Sequence, residues 1–502
     1  MKSASIQICG TGSGVGKSVI VAALCRIFLQ DGYKVAPFKA QNMALNSYVT
    51  LDGKEMGRAQ VTQAQASGIE PTVDMNPILI KPNSDTGAQI IVRGKPIGNM
   101  SVAEYTKYKN SGFGIVRQSL RKLLDEYEVV VMEGAGSPAE INLKSHDIVN
   151  LKIAEYAKAA VILVGDIDKG GVFAWIVGTL ELLSKKERKM IKGIIINKFR
   201  GDKTLLMPGI EFLEKRTGIK VLGIVPYYRD INIPEEDAVP LDSFKEKDGK
   251  KEHKLNIDVI YLPHISNFTD FDALEREDDV RLRYVKSPQE LEIPDMIIIP
   301  GTKNTISDLK YLKKCGLAKK IKSIINSNRT TTLVGICGGY QMLGNKIFDK
   351  DGLESKHGEE EGLKLLPVET NLKAEKTILR IKAKNLSSGI DVSGYEIHHG
   401  STKIIGGCQP AFQVFECNSK KARYFDGARS QDKRIFGTYI HGLFDTTHFR
   451  RNLLNTLRKE RRWPIVSSKE NFTLDKEFDK LAKLVRDNID VDLLYKILRK
   501  KA

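Results

Sequence analysis

One cysteine is framed as a nucleophile. In Thr332-Leu-Val-Gly-Ile-Cys-Gly-Gly-Tyr-Gln-Met-Leu-Gly344 an apolar, β-type run precedes Cys337 and a helix-forming run follows it. Strand, sharp turn and helix with a thiol at the apex make the geometry of a nucleophile elbow. Gly335 and Gly339 stand two residues to either side, where a Cβ would obstruct the bend. A thiol at a helix N-terminus is biased toward thiolate, the attacking form. The plainer alternative is a buried structural cysteine beside a glycine-rich bend, because free cysteine is commonly core. A cysteine nucleophile also needs a base from elsewhere in the chain. Arg434-Ile-Phe-Gly-Thr-Tyr-Ile-His-Gly-Leu-Phe-Asp445 offers one, a short strand ending in His441 and Gly442.

A second chemistry stands at the other end of the sequence. Ile6-Gln-Ile-Cys-Gly-Thr-Gly-Ser-Gly-Val-Gly-Lys-Ser18 reads as strand, glycine-rich loop and helix start, with helical apolar spacing through Ile20, Ala23, Leu24, Ile27 and Phe28. The backbone of such a loop, here Gly10, Thr11, Gly14 and Gly16, wraps phosphate oxygens in N–H groups. Lys17 reaches the outer phosphates and Ser18 can hold Mg²⁺. The usual G-x-x-x-x-G-K-[ST] pattern wants glycine where Thr11 stands, so this is a variant one residue longer from Gly10. An ordinary glycine-rich βα turn is the alternative.

These motifs need sheets to carry them. Short apolar runs at 34–38, 129–133, 160–164, 193–197 and 221–225 alternate with helical or loop stretches, so residues 1–235 read as a doubly wound α/β domain. Ligands collect at the carboxyl ends of such strands, and the polar motifs fall there. Lys39-Ala-Gln-Asn42 ends the second strand. Glu133 ends the third, placed to reach Mg²⁺, with helix capping as its alternative. Gly165-Asp-Ile-Asp-Lys-Gly-Gly171 ends the fourth, and Asn197-Lys198 the fifth. Residues 236–254 are polar and read as a connector. Residues 255–449 form a second doubly wound α/β domain, with strands near 257–262, 296–299 and 331–336 and helices near 304–314 and 317–327. Residues 450–502 are a helical extension whose apolar spacing (Phe478, Leu481, Leu484, then Leu493, Leu494, Ile497, Leu498) indicates packing.

The bulk numbers narrow the partners. The 502 residues carry 79 Lys and Arg against 62 Asp and Glu, a net charge of +17. The basic residues are scattered, and the runs at 185–189, 458–462 and 499–501 contain acids or cap helices, which describes solvated faces. Neither basic–aromatic alternation nor a recognition motif points to nucleic acid. No apolar run of about 18 residues predicts a membrane span, and no signal-peptide pattern opens the chain. The six cysteines show no paired or metal-ligand spacing. A cytoplasmic enzyme is the expectation; the oligomeric state is not legible.

Cys337 with a distant strand-end His441 resembles class I glutamine amidotransferases. Their third member, a glutamate two residues after the histidine, is Leu443 here. The branch of cobyric acid synthases and cobyrinate diamide synthases shares that departure; the group that orients His441 stays open, with Asp445 or a backbone carbonyl as candidates. The glycine-rich loop is similar to that of dethiobiotin synthetase and its amide-forming relatives. Further blocks resemble the cobyric acid synthase family in order over residues 1 to about 450. They include Lys34-Val-Ala-Pro-Phe-Lys-Ala-Gln-Asn42, Gly57-Arg-Ala-Gln60, Lys81-Pro-Asn-Ser-Asp-Thr-Gly87, Pro263-His-Ile-Ser-Asn-Phe-Thr-Asp-Phe-Asp272, Pro300-Gly-Thr-Lys-Asn-Thr305 and Gly394-Tyr-Glu-Ile-His-His-Gly400.

The resemblance implies a glutamine-hydrolysing, ATP-dependent amide ligase. Cys337 and His441 would be catalytic, and Gly301 and Gly338 would supply oxyanion N–H groups; without the family, Gly301 is a plain turn. Asn197 would contact the purine, as in related ATPases and GTPases, and Ser18 and Glu133 would hold Mg²⁺. Lys39, Gln41, Asn42 and Asp85 are candidates for substrate contact. ATP with Mg²⁺ and glutamine as ammonia donor are implied, with no tightly bound prosthetic group. The implied substrate is the corrinoid adenosylcobyrinic acid a,c-diamide, amidated at carboxylates b, d, e and g. His398 and His399, adjacent on a strand, point to opposite faces and cannot chelate together. Two other readings remain: an a,c-diamide synthase, and a ParA/MinD-like ATPase switch with a vestigial amidotransferase domain.

Overall fold

The computed structural model describes residues 3–82, 87–228, 230–234, 254–354, 358–467 and 472–499. The chain divides into two compact units. The first is Met1–Ala44, Glu55–Glu236 and Phe472–Ala502; the second is Leu45–Lys54 and Asp237–Asn471.

The first unit is built on a six-stranded parallel sheet. Its order is Val221–Pro226, Ile191–Phe199, Ala160–Asp166, Ala4–Gly10, Val129–Glu133, Val35–Phe38. Strands covered on both faces are apolar along most of their length, and every residue of Val129–Glu133 and Ala160–Asp166 is buried, with a carboxylate only at each carboxyl end. Ala4–Gly10 and Val129–Glu133 are neighbours in register Ile8↔Glu133, so Glu133 ends its strand beside the loop that follows Gly10. A smaller four-stranded sheet runs Gln41–Met43, Ile78–Pro82, Gly87–Val92, Lys95–Ser101. The expected strands appear within a few residues of their sequence positions.

The second unit has a parallel core ordered Val280–Val285, Leu255–Ile260, Met296–Ile299, Thr332–Ile336, Ile435–Thr438, with Ala428–Arg429 antiparallel at the edge. Helices Thr305–Lys314 and Leu317–Ser327 bury Ile306, Leu309, Leu312, Ile321 and Ile325 against it. A second, mixed sheet that the sequence did not announce is built around the long pair Val368–Asn385 and Asp391–Ile404. The strand expected to end at His441 is two strands. Ile435–Thr438 stays in the parallel core, and after Tyr439 the pair Ile440–His441 joins the mixed sheet opposite Tyr395.

The stretch 450–502 is divided between the units. Helix Thr447–Glu460 lies in the second, while Leu474–Arg486 and Val491–Arg499 belong to the first. Residues 236–253 of the expected connector lie outside the described residues, as does Asp85.

Candidate active site

In the second unit a fully buried strand, Thr332–Ile336, delivers Cys337 to the start of the short helix Gly338–Leu343. Cys337 has φ 50 and ψ −108, a conformation that costs an L residue energy and is held only where the surroundings over-determine it. They do so here. The Cys337 N–H donates to Thr438 O at 2.8 Å. A Cβ on Gly339 would stand 1.9 Å from the Ile299 carbonyl oxygen, so only glycine allows the helix to approach that strand. The Cys337 thiol lies 3.6 Å from Ile397 O.

His441 is buried beside it. Its Nδ1 is 2.7 Å from Asp270 Oδ2, and the other carboxylate oxygen accepts the Gly442 N–H at 2.8 Å. With Nδ1 engaged, Nε2 is the nitrogen left to hydrogen-bond the Cys337 sulfur. The Tyr395 ring stacks on the imidazole with centroids 5.5 Å apart. Burial by itself pulls His441 down, but the Asp270 carboxylate and the contact with Cys337 outweigh it and push the imidazole up to about 10. The orienting group is thus Asp270, in place of the expected Asp445 or backbone carbonyl. Asp445 lies in the turn Leu443–Asp445, where its N–H donates to Gly442 O.

The two oxyanion candidates converge on the same place. A Cβ on Gly301 would be 3.1 Å from His441 Cε1, and one on Gly338 would be 3.2 Å from Thr302 N. Cys337, His441, Gly301 and Gly338 are therefore together. His398 and His399 separate as expected, with Nδ1 atoms on Gly400 O and Lys373 O respectively.

In the first unit Gly16 caps helix Lys17–Gln30 at φ 95, and a Cβ there would stand 2.2 Å from Asn197 Nδ2. Asn197 Nδ2 donates to Val15 O at 2.9 Å. Lys198 Nζ reaches Gly14 O at 2.6 Å and Asp166 Oδ2 at 2.9 Å. Two strand ends thus buttress the loop, Asn197 through its amide N–H and Lys198 through its ammonium, itself paired to Asp166. Lys17 Nζ lies across the loop on Gly12 O and Gly136 O.

The Glu133 carboxylate collects three side chains. Oε1 accepts from Ser18 Oγ and from Lys39 Nζ, each at 2.9 Å, and Oε2 accepts from Gln63 Nε2 at 2.5 Å. Ser18 Oγ and Glu133 Oε1 lie side by side, 2.9 Å apart, and both are hard oxygens of the type Mg²⁺ takes when it uses few protein ligands and completes its shell with water and phosphate. Of the substrate candidates, Lys39 is ion-paired to Glu133, Gln41 Oε1 accepts from Tyr105 Oη at 2.6 Å, and Asn42 Nδ2 donates to Gln60 Oε1 at 2.9 Å.

Sequence reasoning missed Asp270, Gln63, Asp166 and Lys198 as parts of these sites. Each carried a faint signal. Asp166 and Lys198 close strands whose ends were singled out, Asp270 lies inside a noted block, and Gln63 follows Gln60 by one helical turn.

Comparison with known proteins agrees with this division of chemistry. A profile described as "CobQ/CobB/MinD/ParA nucleotide binding domain" matches residues 6–241, and one described as "CobB/CobQ-like glutamine amidotransferase domain" matches residues 256–449. A cobyric acid synthase of Clostridium botulinum (strain 657 / Type Ba4) is 50% identical over 501 residues, covering 99% of this chain and 100% of that one. The chain belongs to the cobyric acid synthase family. A cobyric acid synthase of Dehalococcoides mccartyi (strain CBDB1) is likewise 50% identical, over 98% of both chains. A Leptospira interrogans "Adenosylcobalamin biosynthesis bifunctional protein CobDQ" is 48% identical over 99% of this chain and 57% of that longer protein.

Proposed function

We propose that this protein amidates side-chain carboxylates b, d, e and g of adenosylcobyrinic acid a,c-diamide, using ATP and glutamine, in cobalamin biosynthesis. The observation that carries the reading is the Cys337–His441–Asp270 relay, in a chain half identical to cobyric acid synthases over nearly its whole length.

In the second unit the Cys337 thiolate attacks the glutamine carboxamide carbon. The oxyanion takes hydrogen bonds from the Gly301 and Gly338 N–H groups, donors that can each be worth about 3 kcal/mol when aimed at developing charge. The imidazolium of His441 gives its proton to the leaving nitrogen, the C–N bond breaks and ammonia departs, leaving a γ-glutamyl thioester. Water then attacks the thioester and passes a proton to His441; the C–S bond breaks and glutamate leaves. Asp270 stabilises the imidazolium and, once Nε2 has given up its proton, fixes the tautomer of the neutral ring.

In the first unit a corrinoid carboxylate attacks the γ-phosphorus of ATP and ADP leaves. The resulting acyl phosphate gives ammonia a leaving group to displace, which a free carboxylate lacks. Phosphoryl transfer depends chiefly on positioning and charge neutralisation. The loop Gly10–Gly16 and Lys17 hold the phosphates, and Asn197 and Lys198 keep that loop in shape. Ser18 and Glu133 would hold Mg²⁺, which would supply neutralisation of the outer phosphates. Lys39, Gln41 and Asn42 are proposed to meet the corrinoid.

The test is mass spectrometry of the corrinoid after incubation with MgATP and glutamine, beside a Cys337→Ala sample given glutamine or ammonium. Stepwise amidation that the variant loses with glutamine and regains with ammonium is expected. No conversion by the unaltered protein with either nitrogen source would sink the substrate assignment.

A further inference from the structure

Residues Leu45–Lys54 are grouped with the second unit, although the chain on both sides, up to Ala44 and from Glu55, belongs to the first. Their contacts converge on the groups that hold His441. Asn46 Oδ1 accepts the Phe268 N–H at 3.0 Å, and Asn267 Oδ1 accepts the Ser47 N–H at 3.0 Å, a reciprocal pair made by two buried asparagines. Asn267 sits at φ 53, a left-handed position asparagine tolerates better than most residues. It opens the one-turn helix Phe268–Phe271, and its carbonyl accepts the Asp270 N–H at 2.9 Å. Tyr48 meets Tyr395 edge-on with centroids 5.2 Å apart, and Tyr395 is the ring stacked on His441. Val49 buries itself with Tyr395 and Ile397, whose carbonyl faces the Cys337 thiol.

A carboxylate delivered by a single turn is not fixed by that turn alone, because four residues form few internal hydrogen bonds. Its accuracy must come from what pins the turn. The two asparagine bridges pin this turn at the residues just before Asp270, while Tyr48 backs the ring that covers the imidazole. We propose that Leu45–Lys54 is a positioning element of the glutamine-hydrolysing centre. Asn46 and Tyr48 act in it as positioning residues, through Asp270 and Tyr395, on His441. The inference rests on His441 carrying the proton in glutamine hydrolysis.

The experiment uses the full chain with Asn46→Ala, Asn46→Asp and Tyr48→Leu, measuring glutamate release from glutamine across pH and, separately, ammonium-driven amidation. Misplacing a proton carrier by a fraction of an ångström to 1 Å predicts a loss of about 10- to 100-fold in glutaminase kcat/KM for Asn46→Ala and Tyr48→Leu. Both variants should also move the alkaline limb of the profile downward, and ammonium-driven amidation should be unchanged. Asn46→Asp keeps the oxygen that accepts from Phe268 and should restore most of the rate. The proposal is overturned by unaltered glutaminase in both Asn46→Ala and Tyr48→Leu, by failure of Asn46→Asp to restore it, or by a fall in both activities together. A His441→Ala chain that still hydrolyses glutamine would instead overturn the reading of His441 on which the proposal rests.

Discussion

At the scale of single residues, His441 depends on a carboxylate that sequence spacing does not reveal. The glutamate expected two positions after the histidine is Leu443, and the carboxylate comes from Asp270, far upstream, meeting the ring only through the fold. Cys337 and His441 were legible because each carries local signs, a glycine-framed turn and a strand end; Asp270 carries only the fainter sign of lying inside the block Pro263–Asp272. Asp270→Asn should lower glutaminase kcat/KM by roughly 10²-fold or more, since a proton carrier is worth that much when held in the right tautomer. Ammonium-driven amidation should be untouched. The pH profile gives the sharper check. His441 stays protonated up to about 10 because Asp270 and Cys337 outweigh burial. Removing the negative charge leaves burial opposing the imidazolium, so the alkaline limb should fall toward the ordinary imidazole range. A limb that stays in place would show that Asp270 does not govern His441. Alkylation separates the cysteines in the same way. Burial pushes Cys9 and Cys25 up to about 12, which keeps them as thiols at neutral pH. Iodoacetamide near pH 7 should therefore label Cys337 well ahead of both, and His441→Ala should slow that labelling; peptide mapping by mass reads both outcomes.

Among elements, the parallel strands were legible and the mixed sheet was not, for one physical reason. A strand buried on both faces reads as a nearly continuous apolar run, as Val129–Glu133 does up to its final carboxylate and Thr332–Ile336 does after its first residue. The pair Val368–Asn385 and Asp391–Ile404 mixes buried, half-buried and exposed positions along its length, so charges and apolar residues interleave without a strong period. The phosphate loop shows a related gap. Its glycines were evident, but the groups that hold its shape come from two other strand ends. Gly16→Ala tests that arrangement. The new Cβ would fall 2.2 Å from Asn197 Nδ2 at a φ of 95, so either the loop or the Asn197–Val15 bond must give. A steep rise in the KM for ATP is expected, with glutamine hydrolysis in the other unit unchanged. Asn197→Ala should raise the KM for ATP more mildly, because it removes one bond of about 1 kcal/mol without adding a clash. Isothermal titration with a non-hydrolysable ATP analogue would show the order of the two, and equal losses would argue against the bracing role.

For the molecule as a whole, the chain moves between the units after Ala44, Lys54, Glu236 and Asn471, so neither unit is one continuous segment. The last return brings helix Leu474–Arg486 onto helix Lys17–Gln30, the helix that begins at the phosphate loop, and Val491–Arg499 against strands Ala4–Gly10 and Val221–Pro226, with Tyr495 edge-on to Phe28. Their apolar spacing was readable, but the unit they would join was not, since an amphipathic helix declares a buried face without naming its partner. Two kinds of contact hold them. Arg26 pairs with Asp475 and Asp479, whose side chains are 73% and 50% exposed, and such pairs contribute about 0–1 kcal/mol. Phe478, Leu481, Val485 and Leu494 are buried in one cluster with Ile20, Leu24 and Phe28, where truncating a phenylalanine costs about 3–5 kcal/mol. The apolar term dominates, which sets the order of effects. Phe478→Ala should lower the unfolding temperature of the nucleotide-binding unit and weaken ATP binding, while Arg26→Ala should do little. Glutamine hydrolysis, carried by the other unit, should survive Phe478→Ala at temperatures where ATP binding is already lost. Calorimetry with and without ATP, run beside glutamate release over the same temperatures, reads both. Equal destabilisation by the two variants would mean that the charged face of the helix, and not its apolar one, secures the terminus.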